Sequence, residues 1–398
     1  MKPTSIAFRF LLHSLALLIL AALVRLFAGW LFLPGAPVAP PFDQVDALAA
    51  ALLDLALVAG LIGGGIYALT PDQPSRLLDL AALLWLPLVI GTLLAGALGW
   101  LIPLYEGFAI LKALVIALAL AAVVRATKTW TAVAWVWAVS LGLSAICALV
   151  PPSQFLAPLP ALASGLNCYV AEVLAALALL YWLIERFSTI SRLWAEMSLY
   201  TVAGLMALAG SLVTLGTLGM ISPVFACIVP PLCLLFASHT YAAFSSRNSA
   251  NTLAAHWAAL GVLLLIGVGL LGGAQAALHE WMAGTRLSDL LPTLAQMAVA
   301  AILLGVCNQI SAELRKENRR VTGLMPFWLV AFGAVGGGLA LAGAGLAQGF
   351  LQAQVGYLDA QGLIAPLYAL WIGGLALLAL GLILYGLIFW LRRPRASA

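Results

Sequence analysis

Arg25, Asp54, Lys112 and Glu172 are the residues whose types and positions bear most directly on chemistry, because each stands inside a long apolar run. An ionisable side chain in such a run is costly to bury, so it faces a partner, a water-filled cavity or a ligand. Arg25, Asp54 and Lys112 lie roughly 9–12 Å below one membrane face at about 1.5 Å per residue, with Glu172 as deep or deeper. Two cations and two carboxylates at matched depth can neutralise one another, and Glu106 can join from the rim. One reading is a polar site in the outer half of the membrane, for an ion, a quinone head group or a partner's charged group. The other is charge pairing that fixes helix register, with Arg25 and Lys112 reaching outward along their alkyl stems.

The remaining polar residues carry weaker signals. His13, His239, His256 and His279 are never three or four apart, and they fall at different depths. A transition-metal or haem site needs ligands that converge at one depth, so no cofactor or metal is assigned. His239 and His256 alone flank one short cytoplasmic connection. The five cysteines form no C-x-x-C pair and read as small buried apolar residues. Gln275, Gln296, Asn308, Gln309, Gln348 and Gln352 read as bonds between helices, the alternative being a path for protons or a substrate.

The elements that must position these groups are membrane helices. Hydrophobic residues make up 64% of the 398 residues and charged ones 8%, against about 25% charged in an ordinary soluble domain. A bilayer core needs about 20 apolar residues per helix. The pattern predicts an all-α polytopic protein with twelve transmembrane helices, at 8–33, 46–69, 78–101, 106–125, 130–150, 163–184, 196–219, 222–244, 253–278, 289–310, 325–350 and 364–391. The first is too long for a signal-peptide core and is expected to be retained. Twelve spans place all Lys and Arg except Arg25, Lys112 and Arg286 on the side of the two termini. The positive-inside rule makes that side cytoplasmic. The small net charge of +4 then follows from topology and implies no nucleic acid. Pro-rich segments, PGAPVAPPF (34–42) and VPPSQFLAPLP (150–160), connect spans on the other side, as does 279–292, and no connection is long enough for a soluble catalytic domain.

Gly60 and Gly64, Gly269 and Gly273, Gly333 and Gly337, and Gly345 and Gly349 each make G-x-x-x-G, which lets helices approach closely. Trp30, Trp85, Trp100, Trp130, Trp281, Trp371 and Trp390 fall mostly near span ends, where interfacial anchoring is expected. No phosphate-binding loop, dinucleotide fingerprint or hydrolase motif is present.

The order of features resembles the twelve-helix subunit I of haem–copper oxidases, above all the cbb-type cytochrome oxidases and the large subunit of nitric oxide reductases. The resemblance is carried by PFWLVAFGAVGGGLALAGAGLAQGFLQA (326–353), with Phe327–Trp328 and Gln348–Gly349, and by PLYALWIGGLALLALGLILYGLIFW (366–390), with Gly373–Gly374. PPFDQVDALAAALLDLALVAGLIGGGIYAL (40–69) and YWLIERF (181–187) echo it. That family places its haem and copper histidines on the second, sixth, seventh and tenth helices. Here those spans hold none, and Asp43 and Gln44 stand near the position of the second-helix ligand.

The resemblance implies a degenerate, metal-free member of the family. It would act as a non-catalytic scaffold or partner of other membrane subunits in a respiratory or redox complex, in a bacterial cytoplasmic membrane. The alternatives are a secondary transporter or channel that uses the outer-half charges, and an assembly or sensing factor for haem, copper or nitric oxide acting through His239 and His256.

Overall fold

The computed structural model describes residues 3–31, 42–70, 75–98, 105–150, 158–187, 191–245, 252–277, 287–315, 323–355 and 357–391. Among them there is no strand. The helices are α1 (Pro3–Leu31), α2 (Phe42–Leu69), α3 (Arg76–Ala97), α4 (Tyr105–Ala126), α5 (Ala132–Ala148), α6 (Leu159–Leu166), α7 (Glu172–Phe187), α8 (Arg192–Thr217), α9 (Pro223–Ala226), α10 (Val229–Ser245), α11 (Thr252–Ala277), α12 (Leu287–Arg315), α13 (Leu324–Val355) and α14 (Tyr357–Leu391).

Each of the twelve predicted segments carries helix, and ten helical stretches among the described residues are long and apolar enough to cross a membrane. The two predicted spans outside that set fall on α5 and α10, each of 17 residues. At 1.5 Å per residue such a helix reaches about 26 Å, short of a hydrocarbon core of about 30 Å. The predicted span 222–244 is broken because Ser222 and Pro223 start the four-residue α9 before α10 begins. Pro230 and Pro231 fit the first turn of α10, where a missing N–H costs nothing. The tight passage from α8 to α9 is a Schellman turn. Gly219 takes φ 66°, and the Met220 N–H donates to the Leu215 carbonyl.

The sixth predicted span is interrupted too. A π-helical turn at Asn167–Ala171 joins α6 to α7. Its carbonyl at Tyr169 faces Gly210 of α8, where any Cβ would lie 2.3 Å from the oxygen.

The core is built around α7, which packs against α2, α5, α8, α11 and α12. Every residue from Ala175 to Ile184 is at most 3% exposed. A helix apolar on all faces belongs in such an interior. Peripheral helices show the opposite pattern. Leu80, Leu83, Leu86, Ile90 and Leu94 of α3 form an exposed apolar stripe suited to lipid. Trp85, expected at an interface, is instead 1% exposed and packs on Phe10 of α1. Trp30 and Trp390 remain exposed near helix ends.

The first and last helices close the bundle. Phe8 of α1 stacks on Phe389 of α14 with ring centroids 5.6 Å apart, while Gly29 meets Ile372 and Leu375. The start of α1 therefore lies beside the end of α14, which we call the terminal end of the bundle; the opposite end is the far end. The α13–α14 pair is the closest seam. A Cβ on Gly374 would lie 2.6 Å from the Gly337 Cα, and one on Gly333 would lie 2.6 Å from the Gly374 carbonyl oxygen. Backbone atoms cannot move aside as a side chain can. Gly374→Ala is therefore expected to lower stability by about 1–3 kcal/mol, the usual cost of overpacking. Gly373→Ala, whose Cβ meets nothing within 4 Å, serves as the neutral control. Thermal unfolding of the two variants in detergent makes the comparison.

Candidate functional site

The far half of the bundle holds the buried charges. Arg25 lies about 9 Å along α1 from its far end, and its guanidinium donates to Asp46 at 2.6 Å and to the Thr293 hydroxyl at 3.1 Å. This group joins α1, α2 and α12. Lys112 of α4 donates to both carboxylate oxygens of Asp54, at 2.9 and 3.1 Å, tying α4 to α2. The Lys112 and Asp54 side chains are 14% and 25% exposed, so the pair is largely withdrawn from its surroundings.

Glu172 is buried more deeply, at 1% exposure, about 20 Å along the helix from the start of α6. The π turn decides its geometry. On a regular α-helix, residues five apart point about 140° from each other. Here the Glu172 N–H donates to the Asn167 carbonyl, and Asn167 Nδ2 donates to Glu172 Oε1 at 2.8 Å. The two side chains thus share a face, and Glu172 sits within electrostatic reach of Asp54 and Lys112. Its second oxygen, Oε2, and Asn167 Oδ1 are buried without a hydrogen-bond partner. Single π turns inside α-helices recur at functional sites.

Two cavities adjoin these groups. One of about 410 Å³ is lined by Asp54, Lys112, Asn167, Thr92, Phe108 and Gln296, among others. The second, about 340 Å³, holds Arg25, Asp46 and Thr293. They meet at Ala50, Ser164, Cys168 and Gln296. The Cys168 thiol donates to the Pro292 carbonyl at 3.6 Å and ties the π turn to α12.

The four charges read from the sequence thus divide. Asp54, Lys112 and Glu172 form one cluster, and Arg25 belongs to a neighbouring group whose carboxylate is Asp46. Asp46 escaped the sequence reading because it was taken as the edge of the second span. The Glu106 side chain lies outside the described residues, as do His279 and the Gln352 side chain. Gln348 accepts from Tyr368 across the α13–α14 seam, as expected of a bond between helices.

A second polar network, at the terminal end, was not anticipated. Glu313 of α12 accepts from Tyr67 of α2 at 3.0 Å, from Arg186 of α7 at 2.9 Å and from Gln309 at 3.0 Å. The Arg186 guanidinium also lies 3.8 Å over the Trp182 ring. Arg186 falls just past the predicted span 163–184. Its partner is 127 residues away, and no local pattern links them.

The histidines stay apart. His239 Nδ1 lies 3.5 Å from the Ser198 hydroxyl, which itself bonds Tyr181, and His256 meets Phe327 edge-on. Neither cavity is lined by a histidine. Among the described residues no three His, Cys, Asp or Glu side chains gather where a metal ion could be held. A haem–copper centre needs convergent imidazoles, so the described residues do not fit one.

The fold and site define a polytopic helical membrane protein with paired charges in one half of its bundle. No protein-family model matches the chain, and no curated protein matches it.

Removing the Lys112 cation leaves the Asp54 carboxylate without its counter-charge at a largely buried position. Lys112→Met is expected to cost about 1–3 kcal/mol, between exposed and fully buried ion pairs. Adding Asp54→Asn to it should restore much of the loss. A double-mutant cycle by thermal unfolding reads the coupling.

Proposed function

We propose that this chain is a non-catalytic, metal-free membrane subunit built on a scaffold like haem–copper oxidase subunit I. It crosses the membrane twelve times, with the terminal end cytoplasmic, and packs beside other subunits of a redox complex in a bacterial cytoplasmic membrane. The observation that carries this reading is the α13–α14 seam. The segments with the best family resemblance, 326–353 and 366–390, pack backbone to backbone at Gly333, Gly337 and Gly374, and α14 closes onto α1. The pairing of Arg25 with Asp46 and of Lys112 with Asp54 adds support, since charges neutralised within the chain hold helices in register.

The chain purified alone in mild detergent should show no Soret band, oxidised or dithionite-reduced, and no stoichiometric iron or copper. Tagged in its native membrane, it should bring down a haem-bearing subunit. A Soret band near one haem per chain overturns the metal-free reading. A clean monomer from native membranes overturns the partner reading.

The cavity beside Lys112 and Asp54 favours a second reading, a secondary transporter or channel using these charges. Solute uptake into proteoliposomes that is abolished by Asp54→Asn would establish it. Uptake unchanged in Asp54→Asn and Lys112→Met would remove it.

A further inference from the structure

The Lys112–Asp54–Glu172 cluster does not balance by charge. One ammonium and two carboxylates sum to a single negative charge, in a region where an uncompensated charge is costly. Nor does it balance by hydrogen bonds. Lys112 donates to both oxygens of Asp54, and Asn167 Nδ2 donates to Glu172 Oε1. Glu172 Oε2 and Asn167 Oδ1 are left as two buried acceptors with no donor. Each belongs to the group that bonds the other residue. A buried acceptor without a donor costs as much as a lost hydrogen bond or more. Among the described side chains, the three charged groups are short of one positive charge and Glu172 Oε2 of one donor.

We propose that Glu172 carries one exchangeable proton, and that the cluster is a proton-binding site reached from the far face of the membrane. A proton on Oε2 supplies both missing items. It leaves a neutral carboxylic acid beside a neutral Lys112–Asp54 pair, and it turns an orphaned acceptor into a donor. The step forms one O–H bond on Glu172 and breaks one in the hydronium that delivers the proton, and no electron moves. A metal cation suits the site poorly. Hard cations take six or more oxygens, whereas two buried oxygens are open here and an ammonium stands beside them.

Access is visible. The 410 Å³ cavity runs from Val150 and Pro160, near the far end, to Asp54, Lys112 and Asn167. Glu172 itself lines neither cavity and is joined to this one through its hydrogen bond from Asn167. Toward the terminal end polar groups are sparse: Ser14 of α1 lies buried against Gly60, and the Trp137 indole donates to the Leu61 carbonyl. Val173–Leu180 on α7 and Leu55–Ile66 on α2 offer no polar side chain before Tyr181 and Tyr67. That leaves about 14 Å of apolar packing along α7. The cavity thus gives the cluster its path to the far face.

The other groups facing the site are few. Cys168 of the π turn lies beside Glu172, Cys147 of α5 lies near Lys112, and Gln296 of α12 and Thr92 of α3 line the cavity. Arg25 is held by Asp46 in the adjoining cavity. None supplies the missing donor at Glu172 Oε2.

The inference goes beyond the scaffold reading, and it is tested on the purified full chain, so its outcome does not depend on any partner. Infrared spectroscopy reads a protonated carboxyl by its C=O stretch. The wild type should show one such band that shifts in D2O and is absent in Glu172→Gln. In Asn167→Leu, which keeps Glu172 but removes its hydrogen-bond partner, the band should move to higher frequency. Spectra of wild type and Glu172→Gln that coincide in this region overturn the proposal, as does a band that ignores D2O. If Glu172→Gln does not fold, the Asn167→Leu comparison decides, and an unmoved band overturns the assignment. Loss of the band on adding sodium at fixed pH, with choline as control, would make the ligand a metal cation and also overturn it.

Discussion

The costliest feature of this protein is a carboxylate at the head of a helix buried on every side. Glu172 opens α7, and α7 is the interior around which α2, α5, α8, α11 and α12 pack. Such a group is tolerated only where neighbouring chemistry offsets its desolvation. Three features supply that chemistry. The π turn brings Asn167 onto the same face, Asp54 and Lys112 approach from α2 and α4, and a cavity brings them within reach of the far surface. The placement of α2 and α4 around α7 is thus constrained by electrostatics as much as by shape.

Close approach of backbones is the complementary constraint. Within a membrane, helices gain nothing by hiding apolar surface from lipid tails, so packing quality decides association. Glycines provide it at the α13–α14 seam and also at Gly65, where the Trp137 indole occupies the space of a side chain and donates to the Leu61 carbonyl at 3.0 Å. Polar ties at the two ends complete the arrangement. Arg25 with Asp46 and Thr293 joins α1, α2 and α12 at the far end, and Glu313 joins α2, α7 and α12 at the terminal end. Helices α2 and α12 are thus clamped at both ends, which is how a scaffold keeps its register.

The sequence alone was enough for the class of protein and the location of its apolar helices. Runs of about 20 apolar residues have one stable form in a bilayer, because a backbone without water must bond to itself. The same reasoning singled out Arg25, Asp54, Lys112 and Glu172, since charge inside such a run is conspicuous by composition. The pairing of Asp54 with Lys112 was foreseeable from matched depth and opposite sign.

Tertiary structure decided the rest, and in each case the reason is distance along the chain or a local departure from α geometry. Arg25 chose Asp46 because the α1–α2 hairpin sets them side by side, and depth counting does not reveal rotation about a helix axis. Trp85 became core because Phe10 of α1 lies across it. The Glu313 network joins residues up to 246 positions apart. The π turn has no signature in hydrophobic periodicity, yet it rotates Glu172 onto the face of Asn167. Composition determined that this chain lives in a membrane and carries charge there. Only the packing of helices remote in sequence determined which charges meet, and which oxygen is left without a partner.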